Sequence, residues 1–174
     1  ALLALQGGME GGLAAAELLV GDGNPSGKTV DTFAKSLDDY PSTYNFHESR
    51  DYVDYTDDIY VGYRYFETIP GAAEKVVYPF GYGLSYTTFD VETVSAGVVN
   101  SNCTSEANKL YAKVRVTNTG KFSGKEVVQV YIAKPQGKLG KPAKELVAFE
   151  KTRELQPGES QLMILTWEIN DMAS

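Results

Sequence analysis

Short β-branched runs separated by polar turns fill the second half of this 174-residue chain. Five such runs follow one another from about residue 86, and turn formers such as NTGKFSG and QPGES stand between them. Short strands at regular spacing with polar turns are typical of an antiparallel sandwich. The pattern predicts an all-β sandwich over residues 87–174. Because a complete sandwich of this kind has about seven strands, we expect the last strand to be missing here.

The first 37 residues show a different pattern. Residues 1–6, ALLALQ, are a continuous apolar run, which predicts the end of a buried parallel strand. Two glycines follow, and then EGGLAAAELLVG carries apolar residues at helical spacing, with Gly21 or Gly23 to end the helix. Strand, glycine turn and helix make half of a βαβ unit. Residues 1–37 are therefore predicted to be an α/β segment, with an edge strand in TVDTFA.

Residues 38–86 are predicted to be a tyrosine-rich loop and an interdomain joint. Residues 38–68 contain seven tyrosines and many carboxylates and have no clean period of two or of 3.6. Long loops of this kind are usually functional, so we expect an ordered loop over a surface or a cleft. In residues 78–89, YPFGYGLSYTTF, the rings can fill a seam and the glycines allow the backbone to turn.

Composition excludes several kinds of partner and cofactor. A net charge of −7 argues against a nucleic-acid partner, which needs a basic face. No apolar run approaches the ~20 residues of a membrane span. His47 has no partner set for a metal site, and the glycines form no nucleotide motif, so we expect no cofactor and no metal. Cys103 is the single cysteine, which excludes an internal disulfide and favours a cytoplasmic over a secreted protein.

Several motifs resemble one known family. Glu10-Gly11-Gly12 with its helix, NPSGK at 24–28, DDIYVGYRYFE at 57–67 and YPFGYGLSYTTF resemble the C-terminal half of glycoside hydrolase family 3. VRVTNTGKFSGKEVVQVYI at 114–132 and KPAKELVAFEK at 141–151 resemble that family's fibronectin type III-like domain, an immunoglobulin-like sandwich. The motifs stand in the family's usual order and cover nearly the whole chain. The resemblance implies that residues 1–37 are the end of the family's α/β sandwich domain. The residues of these motifs are most similar to those of bacterial β-glucosidases.

The resemblance implies a retaining exo-β-glycosidase of the β-glucosidase type, which removes terminal non-reducing β-D-glucosyl residues from a β-glucoside or oligosaccharide. In that family a (β/α)₈ barrel carries an aspartate nucleophile, and the α/β domain carries a glutamate acid/base. Neither carboxylate maps onto this sequence, so no catalytic residue is assigned here. We expect this chain to be a piece of a larger enzyme, to be inactive alone, and to have the missing barrel as its partner.

Four residues are predicted to contact substrate: Glu10, Asp58, Tyr63 and Arg64. Glu10 stands at a predicted helix start beyond a strand end, where ligands bind in open α/β sheets, although a carboxylate there also stabilises the helix. Tyr63 can stack on a sugar, and Arg64 and Asp58 can bond its hydroxyls. The competing interpretation is that the rings cover the sandwich and that Arg64 pairs with a carboxylate such as Glu67 or Asp58.

Two other functions stay open at this point. Tyrosine enrichment would also suit a non-catalytic module that binds carbohydrate, and the sandwich alone would suit a structural accessory module. An incomplete α/β domain and an incomplete sandwich would both expose unpaired sheet edges. Such edges favour self-association, so the chain could form a homo-oligomer.

Overall fold

A computed structural model describes residues 2–99 and 109–172; Cys103 lies outside the described residues. The chain divides into two compact units, each assembled from separate stretches of sequence. Unit 1 comprises Ala1–Gly27, Leu84–Val128 and Glu150–Thr166. Unit 2 comprises Lys28–Gly83, Gln129–Phe149 and Trp167–Ser174.

Helix α1, Gly11–Val20, confirms the helix that the apolar spacing predicts. It ends at Gly21, whose φ of +89° lies in the left-handed region and whose N–H bonds to the carbonyl oxygen of Glu17. The strand predicted for residues 1–6 is wrong over the described part, because residues 2–6 are exposed and lie outside any strand. A parallel strand needs a neighbour for its backbone bonds, and no strand in the described residues pairs with this stretch.

The first strands and the second helix belong to unit 2. Strand β1, Phe33–Ala34, pairs antiparallel with β2, Val76–Tyr78, so the predicted edge strand is only two residues long. Helix α2, Tyr63–Thr68, lies inside the stretch predicted to lack regular structure. That prediction is wrong there, because a six-residue helix is too short to show a period in the sequence. The packing of Phe66, which is 1% exposed, fixes it instead. Three short 3₁₀ helices complete this part: Leu37–Asp39, Pro41–Tyr44 and Ala73–Lys75.

In the predicted joint, residues 78–89, the backbone turns at a glycine. Gly81 has a φ of +78°, a conformation that favours glycine, so the predicted glycine turn is confirmed. The rings beside it are packed: the Phe80 centroid lies 4.8 Å from that of Tyr63, and the Tyr78 centroid lies 5.0 Å from that of Tyr82. Whether residues 78–89 join two domains stays a prediction.

Five strands follow, as the alternating runs predict. Their bounds are Phe89–Val98 for β3, Lys109–Asn118 for β4, Val127–Ile132 for β5, Glu145–Lys151 for β6 and Ser160–Glu168 for β7. Strand β4 pairs antiparallel with β3, opposing Phe89 to Asn118 at one end and Val98 to Leu110 at the other, and β7 lies on the other side of β4. Strands β5 and β6 form a separate two-stranded sheet.

The core of unit 1 follows the strand period. On β4, Val114 and Val116 are buried, and on β7, Met163 and Leu165 are buried, while residues between them are more exposed. Side chains two apart lie on one face of a strand, so these four residues form one apolar layer. Burying each such side chain contributes about 1.5–3 kcal/mol to stability.

Asn118 satisfies the backbone at the end of that layer. It is fully buried, and its Nδ2 donates to the carbonyl oxygens of Phe122 and Leu155, both at 2.8 Å. Its Oδ1 accepts from the Thr87 hydroxyl at 2.7 Å and from the Gly120 N–H at 3.0 Å. One amide therefore holds three connecting segments by four hydrogen bonds.

We expect Asn118→Ala to lower the free energy of unfolding by about 3 kcal/mol, because two donors and two acceptors in a buried site lose their partner at once. Urea unfolding followed by circular dichroism measures the change. Thr88→Ala is the control, since it removes an exposed hydroxyl pair with Thr119 and should change stability by less than about 0.5 kcal/mol. Equal effects of the two variants would contradict this role for Asn118.

Candidate functional site

The four predicted substrate contacts divide between the two units. Glu10 belongs to unit 1, and Asp58, Tyr63 and Arg64 belong to unit 2. Within unit 2, Tyr63 and Arg64 begin helix α2 and line one cleft, and Asp58 lies in the turn just before that helix.

Glu10 and Asp58 are both exposed. Glu10 precedes α1 at the helix N-terminus, and its side chain makes no capping hydrogen bond to the helix. Asp58 has a φ of +47°, in the left-handed region that Asp tolerates better than most residues. Both carboxylates are therefore open to solvent, and neither takes part in an ion pair among the described residues.

Tyr63 is held by contacts inside unit 2. Its hydroxyl oxygen accepts a hydrogen bond from the backbone N–H of Leu146 at 2.8 Å, across 83 residues of sequence. Its ring packs against Phe80 and, edge to face, against Tyr131, with a centroid distance of 5.9 Å to the latter. Both ends of this side chain thus have partners.

The sequence suggested that Arg64 pairs with a nearby carboxylate such as Glu67 or Asp58. In the structure it pairs with neither of them. Its Nη2 lies 3.5 Å from Oε1 of Glu145, and the other oxygen of Glu145 pairs with the ammonium group of Lys134. The carboxylate is only 15% exposed, so one partly buried anion faces two cations. We call Arg64, Lys134 and Glu145 the Glu145 cluster. A distant residue supplies the carboxylate because helix α2 faces the start of strand β6.

A second ion pair connects the same two segments. The Lys144 ammonium group lies 2.7 Å from Oε2 of Glu67 and 4.7 Å from the centroid of the Tyr131 ring. The Tyr131 hydroxyl donates to Oε1 of Gln129 at 2.9 Å. Burial first, and then the electrostatic effects of Tyr63 and Glu67, raise the pKa of Tyr131 from 10.0 to about 12.

Two clefts open on unit 2. The larger, of about 310 Å³, is lined by Thr32, Phe66, Glu67, Ala73, Val76 and Pro79. The smaller, of about 210 Å³, has Tyr63 and Arg64 among its lining residues, together with Asp31 and Phe80. Thr32 lines both, and its buried Oγ1 has no hydrogen-bond partner among the described residues. The larger cleft, at about 310 Å³, is close to the lower limit of about 300 Å³ for pockets that hold drug-sized ligands, and the smaller one lies below it.

Sequence reasoning missed the partners of these side chains. Glu145, Lys144 and Tyr131 lie far from residues 63–67 in sequence, and no local spacing relates them. The one available signal was that the motifs DDIYVGYRYFE and KPAKELVAFEK both carry charges of each sign, but this does not indicate which charges meet. None of the helices in the described residues is both long enough and apolar enough to cross a membrane. Among the same residues, no group of three His, Cys, Asp or Glu side chains is placed to hold a metal ion.

Comparison with protein families assigns most of the chain. Residues 1–86 match the Glycosyl hydrolase family 3 C-terminal domain, and residues 126–174 match the Fibronectin type III-like domain. The chain belongs to glycosyl hydrolase family 3. Its two matches confirm the predicted fold class, the end of an α/β sandwich domain followed by an immunoglobulin/fibronectin III-like β sandwich.

Relatives of known name are β-glucosidases. The chain is 61% identical to Beta-glucosidase A of Butyrivibrio fibrisolvens, over 99% of this chain and 22% of that protein. It is 46% identical to a Beta-glucosidase of Ruminococcus albus, over 97% of this chain and 17% of that protein. The chain therefore spans about a fifth of the length of these relatives.

Solved structures of this family contain the same fold. A β-glucosidase from Paenibacillus barengoltzii is 52% identical with a TM-score of 0.86, over 94% of this chain and 17% of that one. β-Glucosidase 3B from Thermotoga neapolitana in complex with glucose is 43% identical with a TM-score of 0.87, over 99% of this chain and 23% of that one. The larger proteins hold domains beyond this chain, in line with the predicted absence of the barrel.

The raised pKa of Tyr131 predicts a loss of stability in alkali. The folded state keeps this phenol protonated to about pH 12, whereas the unfolded state releases the proton near pH 10. The stabilisation is therefore fully present below pH 10 and is lost as the pH rises toward 12. Between pH 10 and pH 12, the free energy of unfolding of Tyr131→Phe should therefore fall less than that of the unmodified chain. Urea unfolding at a series of pH values measures this difference.

Tyr55→Phe is the control for that experiment. It also removes one of the twelve tyrosine hydroxyls, but at an exposed position away from Tyr131 and its partners. If Tyr131→Phe and Tyr55→Phe lose stability in parallel with the unmodified chain, the environment of Tyr131 does not favour its neutral form.

Proposed function

We propose that this chain is part of a retaining exo-β-glucosidase that hydrolyses terminal non-reducing β-D-glucosyl residues. The observation that carries the proposal is the 61% identity to Beta-glucosidase A across 99% of the chain. Relatives at 39–46% identity that cover most of the chain bear the same kind of name, and they come from bacteria and fungi. The higher identities to the Butyrivibrio and Ruminococcus proteins support a bacterial source.

The catalytic carboxylates belong, in this proposal, to parts of the enzyme outside these residues. A retaining mechanism needs one carboxylate to attack the anomeric carbon and a second, about 5–5.5 Å away, to protonate the leaving oxygen and later activate water. In unit 2, Glu145 and Glu67 are each paired with a cation, which suits a structural role. A barrel that supplies the nucleophile is the expected partner of the chain.

Among the four predicted substrate contacts, the two exposed carboxylates are the better candidates. The carboxylate oxygens of Glu10 and Asp58 can accept hydrogen bonds from sugar hydroxyls, whereas Tyr63 and Arg64 already have partners within unit 2. We therefore propose that Tyr63 and Arg64 hold helix α2 against residues 143–146. They would then affect substrate binding indirectly, by fixing the shape of the surface around them.

The longer polypeptide that contains these residues should hydrolyse a p-nitrophenyl β-glucoside and release β-glucose as the first-formed anomer. Net retention follows because two displacements each invert the anomeric carbon. Proton NMR of the early products measures the anomer. The 174-residue chain alone, verified at 19.0 kDa by intact mass, should show no turnover.

The matching p-nitrophenyl α-glucoside is the substrate control, and it should not be hydrolysed. Release of α-glucose first would contradict the retaining mechanism. Turnover by the 19.0 kDa chain itself would place the catalytic carboxylates inside residues 1–174.

A further inference from the structure

An ordered surface loop in unit 2 exposes four aromatic rings. Residues 44–55, which we call the aromatic loop, contain Tyr44, Phe46, Tyr52 and Tyr55, with 77%, 62%, 57% and 93% of each residue exposed. Aromatic side chains usually bury 150–250 Å² each, so four that remain in water on one short loop are unusual for a structural role. Exposed apolar groups gathered in this way mark an interaction surface.

The loop is held in shape by its own polar groups. Asn45 Nδ2 donates to the carbonyl oxygen of Asp54 at 2.7 Å and so joins the two ends of the loop. The backbone N–H of Phe46 bonds to the carbonyl of Ser42, and that of Glu48 bonds to the carbonyl of Asn45. A compact loop with its ends close together is of the kind that often carries function. These bonds fix the backbone around Tyr44 and Phe46 and hold Asp54, next to Tyr55, against the start of the loop.

The charge of this region indicates what it can bind. The aromatic loop contains three carboxylates and one arginine, and all three carboxylates, Glu48, Asp51 and Asp54, are exposed. This balance repels a polyanion. A neutral sugar fits both features, since the negative face of an aromatic ring attracts polarised C–H groups and carboxylates accept hydrogen bonds from hydroxyls.

We propose that the aromatic loop binds the sugar residues of a neutral β-linked oligosaccharide, with Tyr52 and Tyr55 as the stacking rings. These two are the better candidates because Tyr44 also donates a hydrogen bond to the carbonyl of Asp38, and Phe46 packs on His47 at 4.5 Å. Asn45 is a positioning residue that keeps the loop closed. This inference rests on the proposed function, which supplies the class of ligand, and it adds a surface that extends beyond one glucosyl unit.

The test uses the longer polypeptide and compares two substrates. Replacing both rings, Tyr52→Ser with Tyr55→Ser, should raise KM for cellotetraose about tenfold and weaken its binding in calorimetry by a similar factor. The kcat for p-nitrophenyl β-glucoside should be unchanged, because this substrate has no further sugar to stack. Asn45→Ala should give a smaller change in the same direction, since it loosens the loop but leaves the rings.

Matched variants separate stacking from bulk. Tyr52→Phe with Tyr55→Phe keeps both rings and should behave as the unmodified enzyme, whereas Tyr52→Leu with Tyr55→Leu keeps apolar side chains without rings and should behave as the serine variant. Phe122→Ser removes an exposed ring elsewhere and should have no effect on either substrate.

Three outcomes would overturn the proposal while leaving the proposed function intact. An unchanged KM for cellotetraose in the serine variant would exclude the loop as a sugar site. Protection of both rings from hydroxyl-radical labelling without sugar, together with a lower Tm in the variant, would show that the rest of the polypeptide covers them. A loss of self-association in ultracentrifugation would assign the rings to a second copy. Absence of any β-glucosidase activity would instead refute the proposed function, and calorimetric binding of cellotetraose would still test the loop.

Discussion

The carboxylate of Glu145 links helix α2 to the start of strand β6 in unit 2. It faces the guanidinium of Arg64 and the ammonium of Lys134 and is only slightly exposed. Taking charges out of water has a cost that such a pair recovers only if the geometry is maintained, and removing one partner typically costs about 3–5 kcal/mol. Helix α2 and the start of strand β6 must therefore stay in contact. The hydrogen bond from Leu146 to Tyr63 and the ion pair of Lys144 with Glu67 follow from that placement.

Unit 1 uses a neutral group for the corresponding task. The amide of Asn118 makes four hydrogen bonds, to Thr87, Gly120, Phe122 and Leu155, which all lie outside the strands β1 to β7. An amide carries no charge, so its burial needs no counter-ion, only correctly placed donors and acceptors. The apolar layer of Val114, Val116, Met163 and Leu165 can then continue up to the turns without an unsatisfied polar group.

How far the sequence predicted these features depends on the range of the interaction that sets each one. Helix α1 and the strands after residue 86 were predictable, because period and turn residues are local signals. The six-residue helix α2 was not, since Phe66 is buried by tertiary packing that leaves no trace in a short stretch. The partner of Arg64 was also hidden, because several carboxylates lay nearer in sequence than Glu145, and only the fold selects among them.

The tyrosines illustrate the same limit and give it a functional meaning. Enrichment in residues 38–68 raised two interpretations, rings that cover the protein and rings that bind sugar, and the structure assigns different tyrosines to different situations. Tyr63 and Tyr131 pack against each other beneath an ion pair, where the polar ends of both rings have partners. Tyr52 and Tyr55 remain in water on a loop that Asn45 closes. A ring with a filled environment can only support its neighbours, whereas a ring in water keeps its face available for a ligand.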